Sequence, residues 1–223
     1  MSPINCHPEP PPVAPVGSIH PWPRLAGAVL LAGLCAAGVG LPLLHPDRLL
    51  ARIRSSLRTA DLAAGARLLP SEGMIWQRGW TDCGPAALAN WLQLVGGTPP
   101  PLDTLSRLTG LGPRGTRLGR IARVAVTLGF PVGVRTLDPA GGPRVLRGYT
   151  TPLVVWVHPG HFVTVAALTP GDSVDVLDPL RGRQLLPWSL FARRWNGVVM
   201  HPAAPGCDGC VPSSPAPGED FTR

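Results

Sequence analysis

Gln77-Arg-Gly-Trp-Thr-Asp-Cys-Gly-Pro-Ala-Ala-Leu88 is the stretch on which the reading of this chain turns. Cys83 opens a helix here. Asp82 stands where a cap belongs, and Pro85 falls in the first turn, where its missing N–H costs nothing. Leu88, Trp91, Leu92 and Val95 continue one apolar face and predict a helix over 83–95. A thiol at a helix N-terminus has its thiolate favoured by the helix dipole. A lone cysteine in such a run is otherwise a small buried hydrophobe. The stretch becomes a site only if a base and an orienting acid meet it.

Downstream, two more helices are predicted. One covers 102–109, and the other covers 116–128 with Leu118, Ile121, Ala125 and Leu128 on one stripe. Thr116 serves the latter as cap and Gly129 as stop signal. After Gly129 the period changes to two. Residues 132–137, 152–158, 161–168 and 174–178 read as strands, and 184–186 as a further short one. A last turn of helix over 188–195 closes the domain. Helices first and then a run of antiparallel strands make an α+β fold. His158 and His161 flank Pro159–Gly160, read as a two-residue hairpin, so they oppose each other and share a face. Asp175 and Asp178 lie an odd number apart on one strand and point to opposite faces. Either histidine and one aspartate can therefore partner Cys83.

Upstream, residues 1–23 hold eight prolines and read as an extended tail. Leu25–Leu44 is a run of 20 residues without a charge, the length of a bilayer-spanning helix, so 24–45 is expected to be one. Arg48, Arg52, Arg54 and Arg58 follow it and only Arg24 precedes it. The positive-inside rule then places the C-terminal part in the cytoplasm. Residues 46–69 read as an amphipathic juxtamembrane linker helix, with Leu49, Ile53, Leu57 and Leu62 on its apolar stripe and its arginines near lipid headgroups. The globular domain runs over 70–201, and 202–223 form a second tail.

Composition removes several classes. All 20 basic residues are arginine, which excludes a P-loop and Schiff-base chemistry. The formal charge of +7 comes with no nucleic-acid-binding module, so no nucleic acid is expected as partner. Five cysteines are an odd and scattered number, not a disulfide framework. Cys207-Asp-Gly-Cys210 has half of a zinc-site spacing but no second pair, and no metal or cofactor is expected.

Beyond these readings the sequence resembles the bacteriocin-processing peptidases, papain-like cysteine peptidases that remove leader peptides after a double glycine. The likeness covers about 76–199. Gln77 with Cys83-Gly-Pro-Ala-Ala-Leu88 is similar to the nucleophile block of that family, and Gly115-Thr-Arg-Leu118 with Ala125-Val-Thr-Leu-Gly129 to its middle helix. Pro152-Leu-Val-Val-Trp156 and Gly160-His-Phe-Val-Thr-Val165 resemble its histidine block. Val176-Leu-Asp-Pro179, Gly182, Phe191 and Trp195-Asn-Gly197 resemble its closing block. The resemblance implies Cys83 as nucleophile, His161 as general base and acid, and Asp178 as orienting acid. It also implies Gln77 as oxyanion donor beside the backbone N–H of Cys83. Family members are often the N-terminal domain of an ABC exporter. Here there is no lysine for an ATPase and the apolar run precedes the domain. The expectation is therefore a membrane-tethered, stand-alone peptidase acting on a peptide or precursor protein, with a separate ABC exporter as partner. Two readings compete: a papain-like amidase or acyl transferase, and a non-catalytic leader-binding domain.

Overall fold

A computed structural model of the chain describes residues 46–203. The expected membrane helix, the proline-rich tail, the C-terminal tail from residue 204, and Cys6, Cys35, Cys207 and Cys210 lie outside the described residues. Among the described residues no helix is long and apolar enough to cross a membrane.

Helix α1, Pro46–Ala63, is followed by a two-residue strand β1, Arg67–Leu68. Three helices come next: α2, Cys83–Leu94; α3, Leu102–Leu108; and α4, Leu118–Thr127. Strand β2, Val132–Thr136, and a short helix α5, Arg144–Arg147, lead into the sheet strands β3, Leu153–Val157, β4, His161–Leu168, β5, Ser173–Asp178, and β6, Gly182–Pro187. Helix α6, Trp188–Ala192, and strand β7, Trp195–Pro202, complete the domain. The sheet has seven strands in the order β1-β6-β5-β4-β3-β7-β2, and every pairing is antiparallel. This is the expected α+β arrangement.

The two faces of the sheet carry separate cores. On one face Val132, Val154, Phe162 and Met200 pack against Leu88, Trp91 and Leu92 of α2, Leu105 of α3 and Ile121 of α4. On the other, Leu153, Val155, Val163, Val165, Val176 and Val199 pack against Leu146, Leu190 and Phe191. Adjacent residues of β3 thus feed opposite cores, as the period of two requires. Helix α2 is buried from Cys83 to Leu92. Its Ala86-Ala87 and Ala89 let the helix backbone approach the sheet closely, and Thr164 Oγ1 donates to the Ala87 carbonyl at 2.8 Å.

Four expectations change. The connection between β3 and β4 is three residues long, with Gly160 in the left-handed region at φ 64°. Val157, not His158, therefore stands opposite His161. The region read as a closing helical turn contains the short α6 and the start of β7, which lies inside the sheet between β3 and β2. Gly197, φ 91°, permits that entry, since a Cβ there would lie 2.1 Å from the Leu137 carbonyl oxygen. The helix expected over 46–69 ends at Ala63, and Arg67–Leu68 pairs with β6 as an edge strand. Finally, Leu49 and Leu62 are exposed on α1, while Leu50 and Asp61 are buried and Arg54 and Arg58 half-buried. Ile53 and Leu57 of the expected stripe are half-buried on the docked face, which also carries charge that hydrophobic periodicity could not show.

Candidate active site

Cys83 is the first residue of α2, so its backbone N–H has no intrahelical partner. The next position must be glycine. A Cβ on Gly84 would fall 2.3 Å from Thr116 Cγ2 and 3.1 Å from Ile121 Cδ1. Asp82 does not cap the helix through its side chain. Its φ of −92° and ψ of 17° are far from the extended geometry a side-chain cap needs. The carboxylate turns back instead and accepts the N–H groups of Arg78 and Gly79, each at 2.9 Å. Thr116 likewise gives up its expected capping role and donates its hydroxyl to the Thr109 carbonyl at 2.8 Å.

This folded-back loop holds Gln77, which is 3 % exposed. Its Nε2 donates to the Gly79 carbonyl at 2.7 Å, and its backbone N–H donates to the Pro179 carbonyl at 3.1 Å. Its Oε1 is buried and has no hydrogen-bond partner among the described residues. Two positions earlier, Ile75 is clasped by the buried Asn90 of α2, whose Oδ1 accepts the Ile75 N–H at 2.7 Å and whose Nδ2 donates to the Ile75 carbonyl at 2.8 Å. Sequence reasoning missed Asn90. A polar residue in the middle of an apolar helical stretch was the available signal.

His161 opens β4 and Asp178 ends β5, on the neighbouring strand. His161 Nε2 lies 2.8 Å from Asp178 Oδ1, in a buried contact. The imidazole is also within electrostatic reach of Cys83. Burial alone would lower the His161 pKa. The charge of Asp178 and its hydrogen bond, with a smaller effect of neighbouring Cys83, outweigh it and push the group up to about 9. Burial alone would raise the Asp178 carboxyl. His161 and then Arg181 outweigh that effect and hold it well below the usual carboxylate range. A cationic imidazole between a carboxylate and a thiol is the arrangement that activates a sulfur nucleophile.

The structure thus brings Cys83, His161 and Asp178 together and sets Gln77 on the loop leading to Cys83. His158 and Asp175 are elsewhere. His158 is exposed, with its ring 5.3 Å from that of Trp156. Asp175 receives the forked guanidinium of Arg183 at 3.0 and 2.6 Å. Among the described residues Cys83 is the free cysteine, and no group of acidic, histidine and cysteine side chains is placed to hold a metal.

Sequence reading also missed what surrounds Asp178. Its Oδ1 accepts the N–H groups of Leu180 at 2.8 Å and Arg181 at 3.0 Å, besides the imidazole. Its Oδ2 accepts Arg181 Nη1 at 2.8 Å. From α1, Arg54 Nε donates to the Leu180 carbonyl at 2.9 Å and Arg58 Nε to the Arg181 carbonyl at 2.5 Å. Both guanidinium groups lie over the ring of Trp76, at 4.5 and 5.4 Å from its centroid. These two arginines, expected near lipid headgroups, bind the protein's own loop.

A papain-like α+β domain with a buried Cys–His–Asp arrangement defines a cysteine peptidase class. Residues 71–205 match the Peptidase C39 family, more than half of the chain, and the protein belongs to that family of cysteine peptidases. Among solved structures, it is similar to a double glycine motif protease from an AMS/PCAT transporter in complex with the leader peptide. The identity is 22 %, covering 58 % of this chain and 91 % of that one, with a TM-score of 0.52. It is also similar to the peptidase domain of Streptococcus ComA, a bi-functional ABC transporter involved in a quorum-sensing pathway. There the identity is 23 %, covering 58 % and 97 %, with a TM-score of 0.52. At these identities the likeness is one of fold. No curated protein matches the chain.

Proposed function

We propose that this peptidase removes leader peptides from secreted precursors by cleaving after a double glycine, and that residues 24–45 tether it to a membrane beside a separate ABC exporter. The observation that supports the chemistry is the buried His161–Asp178 hydrogen bond within electrostatic reach of Cys83 at the start of a buried helix. The Cys83 thiolate attacks the scissile carbonyl carbon and forms a C–S bond, and the carbonyl oxygen takes the negative charge. The Cys83 N–H, unused by the helix, and the second hydrogen of Gln77 Nε2 receive that charge. Collapse of the intermediate breaks the C–N bond, and the His161 imidazolium protonates the leaving amine. His161, now neutral, takes a proton from water, whose oxygen attacks the acyl-enzyme and releases a carboxylate and the Cys83 thiolate. Asp178 keeps the imidazole oriented throughout. The double-glycine preference and the exporter partner are supported by the family and by its structural neighbours, a double glycine motif protease and a peptidase domain of an ABC transporter.

A peptide carrying an electrophile after Gly-Gly, applied to wild type, Cys83→Ala, His161→Ala and His158→Ala, tests this reading. Labelling should vanish in Cys83→Ala, fall steeply in His161→Ala and persist in His158→Ala. Equal losses for the two histidines would overturn the assignment of the base. A matching peptide with bulky side chains in place of the two glycines should label far more slowly. Equal labelling of the two peptides would remove the substrate class while leaving the chemistry.

A further inference from the structure

Helix α1 lies ahead of the matched family region, residues 71–205, yet its polar face reaches the loop that carries Asp178. Asp61 of α1 is 1 % exposed; Arg194 Nη2 donates to its Oδ1, and Arg181 Nε lies 3.3 Å from its Oδ2 as an ion pair without hydrogen-bond geometry. Arg181, itself 8 % exposed, spends its other end on Asp178. A buried charge without its partner is costly, so each member of this series fixes the next. Two carboxylates, Asp61 and Asp178, face two guanidinium groups, Arg181 and Arg194. Arg54 of α1 also faces Asp178, and His161 and Cys83 complete the set on the far side. The backbone of the same loop is held at two successive carbonyls by Arg54 and Arg58.

We propose that Asp61 and Arg181 are positioning residues for the peptidase reaction, acting through Asp178 on the orientation of His161, and that α1 is thereby part of the catalytic unit. This rests on the reading of Cys83, His161 and Asp178 given above. Arg181 opposes two effects with different signs. As a bare positive charge near the imidazolium it disfavours the protonated ring, so its removal would raise the His161 pKa. As the group that fixes Asp178, it keeps the carboxylate on the imidazole, so its removal would let that support lapse and lower the pKa. The direction of the change separates the two roles.

The test uses the full chain with the substitutions Asp61→Asn and Arg181→Gln. Alkylation of Cys83 by iodoacetate is followed against pH. The reagent's anion is drawn by the imidazolium, so its rate falls as His161 loses its proton. Turnover is measured on a fluorogenic peptide ending in Gly-Gly. Both variants should lower kcat by about 10- to 100-fold, the scale of a small misplacement of reacting groups, with KM little changed. In both, the alkaline limit of alkylation should fall below that of wild type. An unmoved or raised limit overturns the proposal, whatever happens to the melting temperature. Should Arg181→Gln fail to fold, Arg181→Lys decides: it keeps the charge but not the fork, so a fall in its alkaline limit reports lost positioning, whereas Asp61→Asn, which loses a negative charge, is read by kcat against KM. Failure of the underlying reading looks different: His161→Ala would then retain the wild-type alkaline limit.

Discussion

His161 illustrates how one residue's surroundings set both stability and activity. Its folded-state pKa is raised from 6.5 to about 9. The stability contributed by the charged form is therefore fully present below the unfolded value and is lost as pH rises through the folded one. Asp178 has the opposite sign. Its contribution is present above the ordinary carboxylate value and is lost as pH falls towards its depressed folded one. Since in the proposed mechanism the imidazolium protonates the leaving amine, kcat/KM should fall on the alkaline side near pH 9, where His161 loses its proton. A pH–rate profile that declines already through pH 6.5 would contradict the raised value. Gln77 carries a second expectation at this scale. Gln77→Ala should lower kcat by about 100-fold or more with a modest change in KM, because its donor is used as charge develops. Gln77→Glu should be worse, since it sets a carboxylate near the anion. Normal turnover in both would leave Gln77 a structural residue only.

Among the elements, the loop of residues 77–82 before α2 depends on a single side chain. Asp82 accepts two backbone N–H groups that would otherwise be orphaned in a half-buried turn. Asp82→Ala should therefore cost about 1–3 kcal/mol in unfolding by urea. It should also lower kcat, because the same turn presents Gln77. Asp82→Asn keeps one acceptor oxygen and should lose less on both measures. Equal stability of wild type and Asp82→Ala would show that the turn is held by the ends it joins. This loop also marks where the sequence was legible and where it was not. The helix starting at Cys83, the strand His161–Leu168 and the odd spacing of Asp175 and Asp178 follow from periodicity and spacing, which are local. The choice of histidine was not local. It turned on whether the β3–β4 connection has two residues or three, and Gly160 with its positive φ made it three. Likewise, the groups that hold the loop after Asp178 come from positions 54, 58 and 61, more than a hundred residues away, through two arginines and an aspartate on one helix face. Hydrophobic patterning marks Ile53 and Leu57 of that face but carries no trace of its charged members. Strand β7 escaped for a related reason, since its Asn196-Gly197 opening reads as a turn until Gly197 is seen closing on Leu137.

For the whole molecule, the proposed tether at 24–45 raises the question of the side of the membrane on which the domain would work. Orientation is set on the nascent chain, where Arg48, Arg52, Arg54 and Arg58 follow the apolar run Leu25–Leu44 and Arg24 alone precedes it. That Arg54 and Arg58 later bind the carbonyls of the Leu180–Arg181 loop does not alter their charge during insertion. The expected result is a domain retained in the cytoplasm. Chemistry points the same way: Cys83 is a free thiol whose function needs it unoxidised, and a reducing compartment keeps it so. A cytoplasmic site would also meet precursors before export. Reporter fusions decide the matter, provided the junction spares β7, which runs to Pro202 and is followed by a hydrogen bond from the Ala203 N–H to the Pro131 carbonyl. Fused after Ala203, a reporter that works only in the cytoplasm should be active and one that works only outside should be silent. Deleting 24–45 should release the protein from the membrane fraction while labelling of Cys83 continues. Activity of the external reporter would reverse the orientation, and release without the deletion would remove the tether, and neither would touch the roles of Cys83, His161 and Asp178.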